Sequence, residues 1–252
     1  MANIPTYDDI RAIAARLVHE RYPSAVAAII GGSFASGRQT ASSDIDLLLL
    51  FDHVECAWRD TLVAEGRTVE LFGHDLATFT YFCGEIDAPG GKVPLARMVV
   101  EGENILAPGD ACARLHGLAH AIDAAGPPVL DVEGLQRRRY AITTALEDLV
   151  DSTQQGEALA VACQLYEWLA DLHLRAAGQW SGSGKHLFRR LQAFDAATAA
   201  RLDGALRLVA SDLPAGQLAF QQVSAAVLAP VGGPLLAGFT LPAPAHWRSA
   251  PA

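Results

Sequence analysis

Apolar positions change their period several times along this chain. Ile10, Ile13, Ala14, Leu17 and Val18 recur at helical spacing and mark one face of a helix. Thr6 is placed to cap that helix, Asp8 and Asp9 suit its first turn, and Pro23 ends it. Ala25 to Ile30 is wholly apolar and predicts a buried strand; a second such strand starts near Asp44 and runs to about Phe51. A short amphipathic helix is expected over Val54–Glu65, making the crossover to an alternating strand at Arg67–Phe72. A helix over Leu76–Glu85, a turn or loop at Ala88-Pro89-Gly90-Gly91 and a last strand over Arg97–Ile105 complete this half. Beyond Gly126-Pro127-Pro128 the period is helical throughout. Helices are expected at 133–151 (Ile142, Leu146, Leu149, Val150), 157–176 (Leu165, Leu169, Leu172), 184–194, 196–210 and 215–228. The tail carrying Pro230, Pro234, Pro242, Pro244 and Pro251 reads as irregular. The pattern predicts an α+β domain over 1–125, with a mixed sheet and flanking helices, then an all-helical bundle domain over 126–252.

The junction of the first two strands carries the chemistry. Gly31-Gly32-Ser33-Phe34-Ala35-Ser36-Gly37 follows one apolar strand, and Asp44-Ile45-Asp46 opens the next. Successive strand residues face opposite sides, so Asp44 and Asp46 share a face while Ile45 enters the core. Two carboxylates side by side repel unless a cation lies between them, and hard oxygen donors suit Mg²⁺. The paired glycines let backbone N–H groups approach an anion. A phosphate cradle beside a magnesium site reads as phosphoryl or nucleotidyl chemistry.

Gly31-Gly32-Ser33 followed by Ser43-Asp44-Ile45-Asp46-Leu47 resembles the signature of the DNA polymerase β-type nucleotidyltransferase superfamily, in which a third carboxylate lies on a later strand. Glu70, in Arg67-Thr68-Val69-Glu70-Leu71-Phe72, falls where that third carboxylate is expected. The resemblance spans roughly residues 25–75. It implies that Asp44, Asp46 and Glu70 are the catalytic metal ligands, holding two Mg²⁺ ions, with ATP as co-substrate. It also implies that Gly32, Ser33 and Ser43 bind the nucleotide, that an acceptor hydroxyl attacks the α-phosphorus and that pyrophosphate leaves. With a helical second half, the chain further resembles the aminoglycoside and lincosamide adenylyltransferases. Some of those relatives draw a general base from the helical domain, where Glu133, Glu147, Asp148, Glu167 and Asp171 are the candidates here.

Trp180-Ser181-Gly182-Ser183-Gly184-Lys185 lies between two expected helices, and Lys185 and Arg189 share a face at a helix start. They are candidate triphosphate ligands contributed by the helical half. The same segment fails as a Walker A loop, because Gln179 and His186 stand where Gly and Ser or Thr are required. Arg137, Arg138 and Arg139 read as a solvated helix start. His116 and His120 share a helix face but lack companion zinc ligands.

Composition narrows the acceptor. The 252 residues carry a formal charge of -9, which disfavours nucleic acid and suits either a cationic small molecule or solubility alone. Four scattered cysteines without a C-x-x-C pair read as reduced thiols. Met-Ala-Asn-Ile-Pro shows no signal pattern, and no apolar run is long enough to span a bilayer, so a cytoplasmic protein is expected. The expected activity is Mg²⁺-dependent transfer of a nucleoside monophosphate, AMP from ATP, to a hydroxyl of a small molecule, with an aminoglycoside-like antibiotic the leading acceptor. The alternatives are an antitoxin-like nucleotidyltransferase that regulates or AMP-modifies a protein partner, and a nucleotide-binding module without turnover.

Overall fold

The computed structural model describes residues 4–244 and 247–248, and these fall into two compact units dividing after Pro128. Pro251 and the first three residues of the chain lie outside the described residues.

The N-terminal unit opens with α1 (Tyr7–Arg21), where Thr6 and Asp9 form a reciprocal capping box. Next come β1 (Ala27–Ile30), a single helical turn α2 (Gly32–Ala35) and β2 (Ile45–Leu50). A hairpin follows, β3 (Trp58–Ala64) with β4 (Arg67–His74), and then α3 (Leu76–Tyr81). The backbone continues as one π-helical stretch, Phe82–Asp87, and a 3₁₀ turn, Ala88–Gly90. The unit closes with α4 (Pro94–Glu101), the two-residue strand β5 (Glu103–Asn104) and α5 (Asp110–Ala125). The sheet is mixed, in the order β3-β4-β2-β1-β5, with only the β2–β4 pair parallel. One face packs on α1, with Ile10, Ala14, Leu17 and Val18 against Ala28, Ile30, Ile45, Leu47, Leu49, Val69 and Leu71.

Two elements depart from the sequence reading. Residues expected as a crossover helix over Val54–Glu65 form β3 instead, paired antiparallel with β4 from Trp58↔Gly73 to Ala64↔Arg67. Glu65 and Gly66 make a two-residue turn with φ of 50° and 76°, the geometry that favours a tight hairpin. Arg16 fastens the turn through a bidentate pair with Glu65, at 2.7 and 2.8 Å. The strand expected over Arg97–Ile105 is largely α4: Pro94 starts it, Gly102 stops it, and Leu95, Ala96 and Val99 bury one side. Only Glu103 and Asn104 reach the sheet, pairing with Ile30 and Ile29.

The second unit is helical: α6 (Val132–Asp151), α7 (Gln155–Ala176), α8 (Lys185–Phe194), α9 (Ala196–Ser211) and α10 (Leu213–Leu228). Asp195 and Asp212 are one-residue breaks between successive helices, and each caps the next by accepting from a backbone N–H. Ile142, Leu149, Leu165, Leu169, Leu172, Leu191, Leu202 and Phe220 are fully buried in a common core. Arg137, Arg138 and Arg139 are not a uniformly solvated start of α6. Arg137 pairs with Glu133 on the surface, Arg138 with Asp171 at 3.2 Å, and Arg139 donates to the carbonyls of Gly232 and Gly233. With Tyr140 stacked on Phe239, Arg139 fastens the irregular tail to α6.

At the end of the π-helical stretch, Asp87 is half-buried and its Oδ2 has no hydrogen-bond partner; burial pushes its carboxyl up to about 6. A native pKa above the unfolded value favours folding only while the group stays protonated, and that contribution is lost as pH rises through about 6. Asp87→Asn is therefore expected to gain stability over wild type by about 1–2 kcal/mol between pH 4.5 and pH 7.5. Chemical denaturation at the two pH values checks this, and an unchanged difference would show that Asp87 titrates normally.

Candidate active site

The three carboxylates meet because of strand register. β2 begins at Ile45, and its parallel pairing with β4 sets Asp46 directly beside Glu70. Asp44, two residues before Asp46, lies on the same face, while Ile45 is fully buried. Asp44, Asp46 and Glu70 each offer an oxygen, and those oxygens all lie within 4.8 Å of one another. They are half-buried rather than sealed from solvent. Three like charges at that separation repel one another, and together they could hold a metal ion.

The glycine pair leans on this cluster from β1. Gly31 N–H donates to the Asp46 carbonyl at 2.9 Å, tying the turn to β2. A Cβ on Gly31 would lie 2.1 Å from Met98 Cγ, so α4 leaves room only for glycine. Gly32 has φ +64°, and a Cβ there would lie 1.7 Å from Asp46 Oδ2. The backbone thus touches the carboxylate itself, and the two glycines are required for two different reasons. Immediately after, Ser33 Oγ is buried without a hydrogen-bond partner. A donor set of three carboxylates, a side-chain-free backbone against one of them and an unsatisfied hydroxyl together fit a divalent cation carrying phosphate oxygens.

Arg59 is the site residue that sequence reasoning missed. From the edge strand β3, its Nη2 donates to Glu70 Oε2 at 2.7 Å, and its guanidinium lies over the Phe72 ring at 5.1 Å from the centroid. This restrains the Glu70 side chain and offsets one of the three charges. The signal for it was the Glu65-Gly66 turn, which converts the expected helix into a strand beside β4. The other sequence candidates are placed differently. The Ser43 hydroxyl accepts from Thr40 N–H at 2.9 Å and closes the loop leading into Asp44. Lys185 and Arg189 belong to the helical unit, Lys185 exposed at the first position of α8 after Gly184, which has φ +50°.

Among the base candidates, Glu133 is taken up by Arg137 and Asp171 by Arg138, whereas Glu147, Asp148 and Glu167 are exposed.

Residues 12–86 match the nucleotidyltransferase domain family, a segment that holds the glycine turn, all three carboxylates and Arg59. Within the chain, residues 12–86 thus form a nucleotidyltransferase-type domain, in line with the polymerase β-type superfamily that the glycine turn and the carboxylates resemble. Among solved structures, a nucleotidyltransferase-like protein from Exiguobacterium sibiricum 255-15 is similar at 11% identity, over 88% of this chain and 76% of that one, with a TM-score of 0.44. No curated protein sequence matches the chain significantly. No helix among the described residues is long and apolar enough to cross a membrane.

Gly32→Ala is expected to push the Asp46 carboxylate aside and impose a strained backbone, at about 2 kcal/mol of stability. Mn²⁺ titration followed by electron paramagnetic resonance should show a bound ion in wild type. Its affinity should fall at least tenfold in Gly32→Ala and in Asp46→Asn. Retention of wild-type Mn²⁺ affinity by Asp46→Asn would remove the carboxylate cluster as a metal site.

Proposed function

We propose that this protein catalyses Mg²⁺-dependent transfer of a nucleoside monophosphate, AMP from ATP, to a hydroxyl group of a small-molecule acceptor, releasing pyrophosphate. The observation that carries the reading is the convergence of Asp44, Asp46 and Glu70 beside the Gly31-Gly32 turn of a nucleotidyltransferase domain. In this reading the three carboxylates hold two Mg²⁺ ions. When bound, the ions neutralise the triphosphate and ease ionisation of the acceptor hydroxyl.

The chain's own groups do the rest. Gly32 backbone and the Ser33 hydroxyl take the β- and γ-phosphates, and Ser43 holds the loop that delivers Asp44. Arg59 keeps Glu70 oriented toward the two aspartates. Lys185 and Arg189 are proposed as further phosphate-binding cations. Residues 1–125 form the catalytic domain and 126–252 the substrate-binding domain. Glu133, Glu147, Asp148, Glu167 and Asp171 are the candidates for the acceptor's base, Glu133 and Asp171 being paired with arginines.

A net charge of -9 favours a cationic acceptor, so aminoglycoside-like antibiotics head the acceptor list. Four unpaired thiols suit a cytoplasmic setting.

Calorimetry of ATP binding, with and without Mg²⁺, tests the metal-dependent step. Wild type should bind only with Mg²⁺, and Asp46→Asn should bind at least tenfold more weakly. A panel of hydroxylated acceptors should then yield pyrophosphate with one class. Equal ATP binding with and without Mg²⁺ in both proteins would defeat the enzymatic reading. Mg²⁺-dependent binding with no pyrophosphate from any acceptor would favour a binding module.

A further inference from the structure

The helical unit contains a cavity of about 270 Å³, lined by Arg137, Arg138 and Ala141 of α6 and by Trp168 and Asp171 of α7. Its walls are unlike the rest of this acidic chain. The lining carries two guanidinium groups and one carboxylate, with an indole on the α7 side and a small alanine on the α6 side.

That carboxylate is already committed. Arg138 Nε donates to Asp171 Oδ2 at 3.2 Å. Arg175, one turn further along α7 and only 5% exposed, is close enough to feel the charge of the same carboxylate. Asp171 therefore has little capacity to neutralise Arg137 as well. Arg137 is held by Glu133 four residues back on α6, an exposed pair that exchanges easily with solvent and ligands. An anion entering the cavity would find one guanidinium fixed by Asp171 and a second free to swing inward. The planar fork of arginine matches carboxylate, sulfonate and phosphate oxygens in pairs. Trp168 offers a flat apolar face against which a ring can stack.

We propose that the α6–α7 cavity is a binding site for a small planar organic anion, an aromatic ring carrying a carboxylate, sulfonate or phosphate. Its volume accommodates one ring system rather than an extended ligand. A polycation would be repelled from it, so this is not the site of a cationic acceptor. The inference stands whether or not the nucleotidyl-transfer reading does.

The test titrates the full chain with naphthalene-1-sulfonate by calorimetry, at low salt and without metal, alongside neutral naphthalene-1-methanol and cationic 1-naphthylmethylammonium. Wild type should bind one sulfonate per chain at least tenfold more tightly than the alcohol, and should not bind the ammonium. Arg137→Gln, a surface substitution, should weaken the sulfonate severalfold and flatten its salt dependence; Trp168→Phe should weaken all ring binding. Asp46→Asn should bind the sulfonate as wild type does, which separates this site from the carboxylate cluster. Phenyl phosphate and inorganic phosphate form a second pair of probes. Tighter binding of phenyl phosphate than of phosphate supports the demand for a ring. Equal affinity for sulfonate and alcohol, or unchanged sulfonate binding in both Arg137→Gln and Trp168→Phe, would overturn the proposal.

Discussion

The N-terminal unit is organised around a repulsion. Asp44, Asp46 and Glu70 bring three oxygens within 4.8 Å, an arrangement a folded chain tolerates only when something compels it. The compulsion comes from below, where β2 is buried on both faces except at Asp46, and every neighbour along it is apolar. Sliding β2 by one residue against β4 would bring Asp46 to the core face packed on α1 and take Ile45 out of it. Hydrophobic burial therefore fixes the register, and the register fixes the carboxylates. Gly32 and Arg59 complete the balance. One removes the side chain that would displace Asp46, and the other contributes a single positive charge to Glu70.

The stiffness that holds the cluster has a counterpart in how the loop around it is built. Gly31 is bonded to Asp46 and jammed against Met98, so α4 behind the turn shares in positioning it. The turn itself, Gly32–Ala35, is a single helical turn whose hydroxyl at Ser33 is left without a partner. A buried hydroxyl with no acceptor or donor weakens the fold. Its retention beside a carboxylate cluster that could hold a cation is consistent with stability yielded at a site in favour of chemistry.

Sequence reading went furthest where burial was two-sided. β1 and β2 are continuous apolar runs, and alternation around Ile45 put both aspartates on one face without further information. The helices of the second unit were equally legible because Leu165, Leu169 and Leu172 repeat against a common core. It failed at the margin of the sheet. β3 is an edge strand with one solvated face, Val63 is 70% exposed, and only Trp58, Leu62 and Ala64 touch the core, so its period resembles a short amphipathic helix. α4 failed in the opposite sense. Met98, Val99 and Val100 carry strand-like side chains, but Pro94 and Gly102 delimit a helix whose buried side packs tightly inside the unit. Arg59 was lost with β3, since only the strand assignment carries it beside Glu70.

Net charge is a coarse guide to what this protein binds, and the distribution of charge is a better one. The overall value of -9 favours cationic partners by long-range attraction, which salt screens within about 10 Å. What a ligand meets at contact is local. At the carboxylate cluster that is three acids and one arginine, a setting for metal and phosphate rather than for a free anion. Between α6 and α7 it is two arginines, one committed aspartate and an indole, a setting for an anion rather than for the cationic partner that net charge suggests. The same chain therefore presents opposite selectivities in its two units.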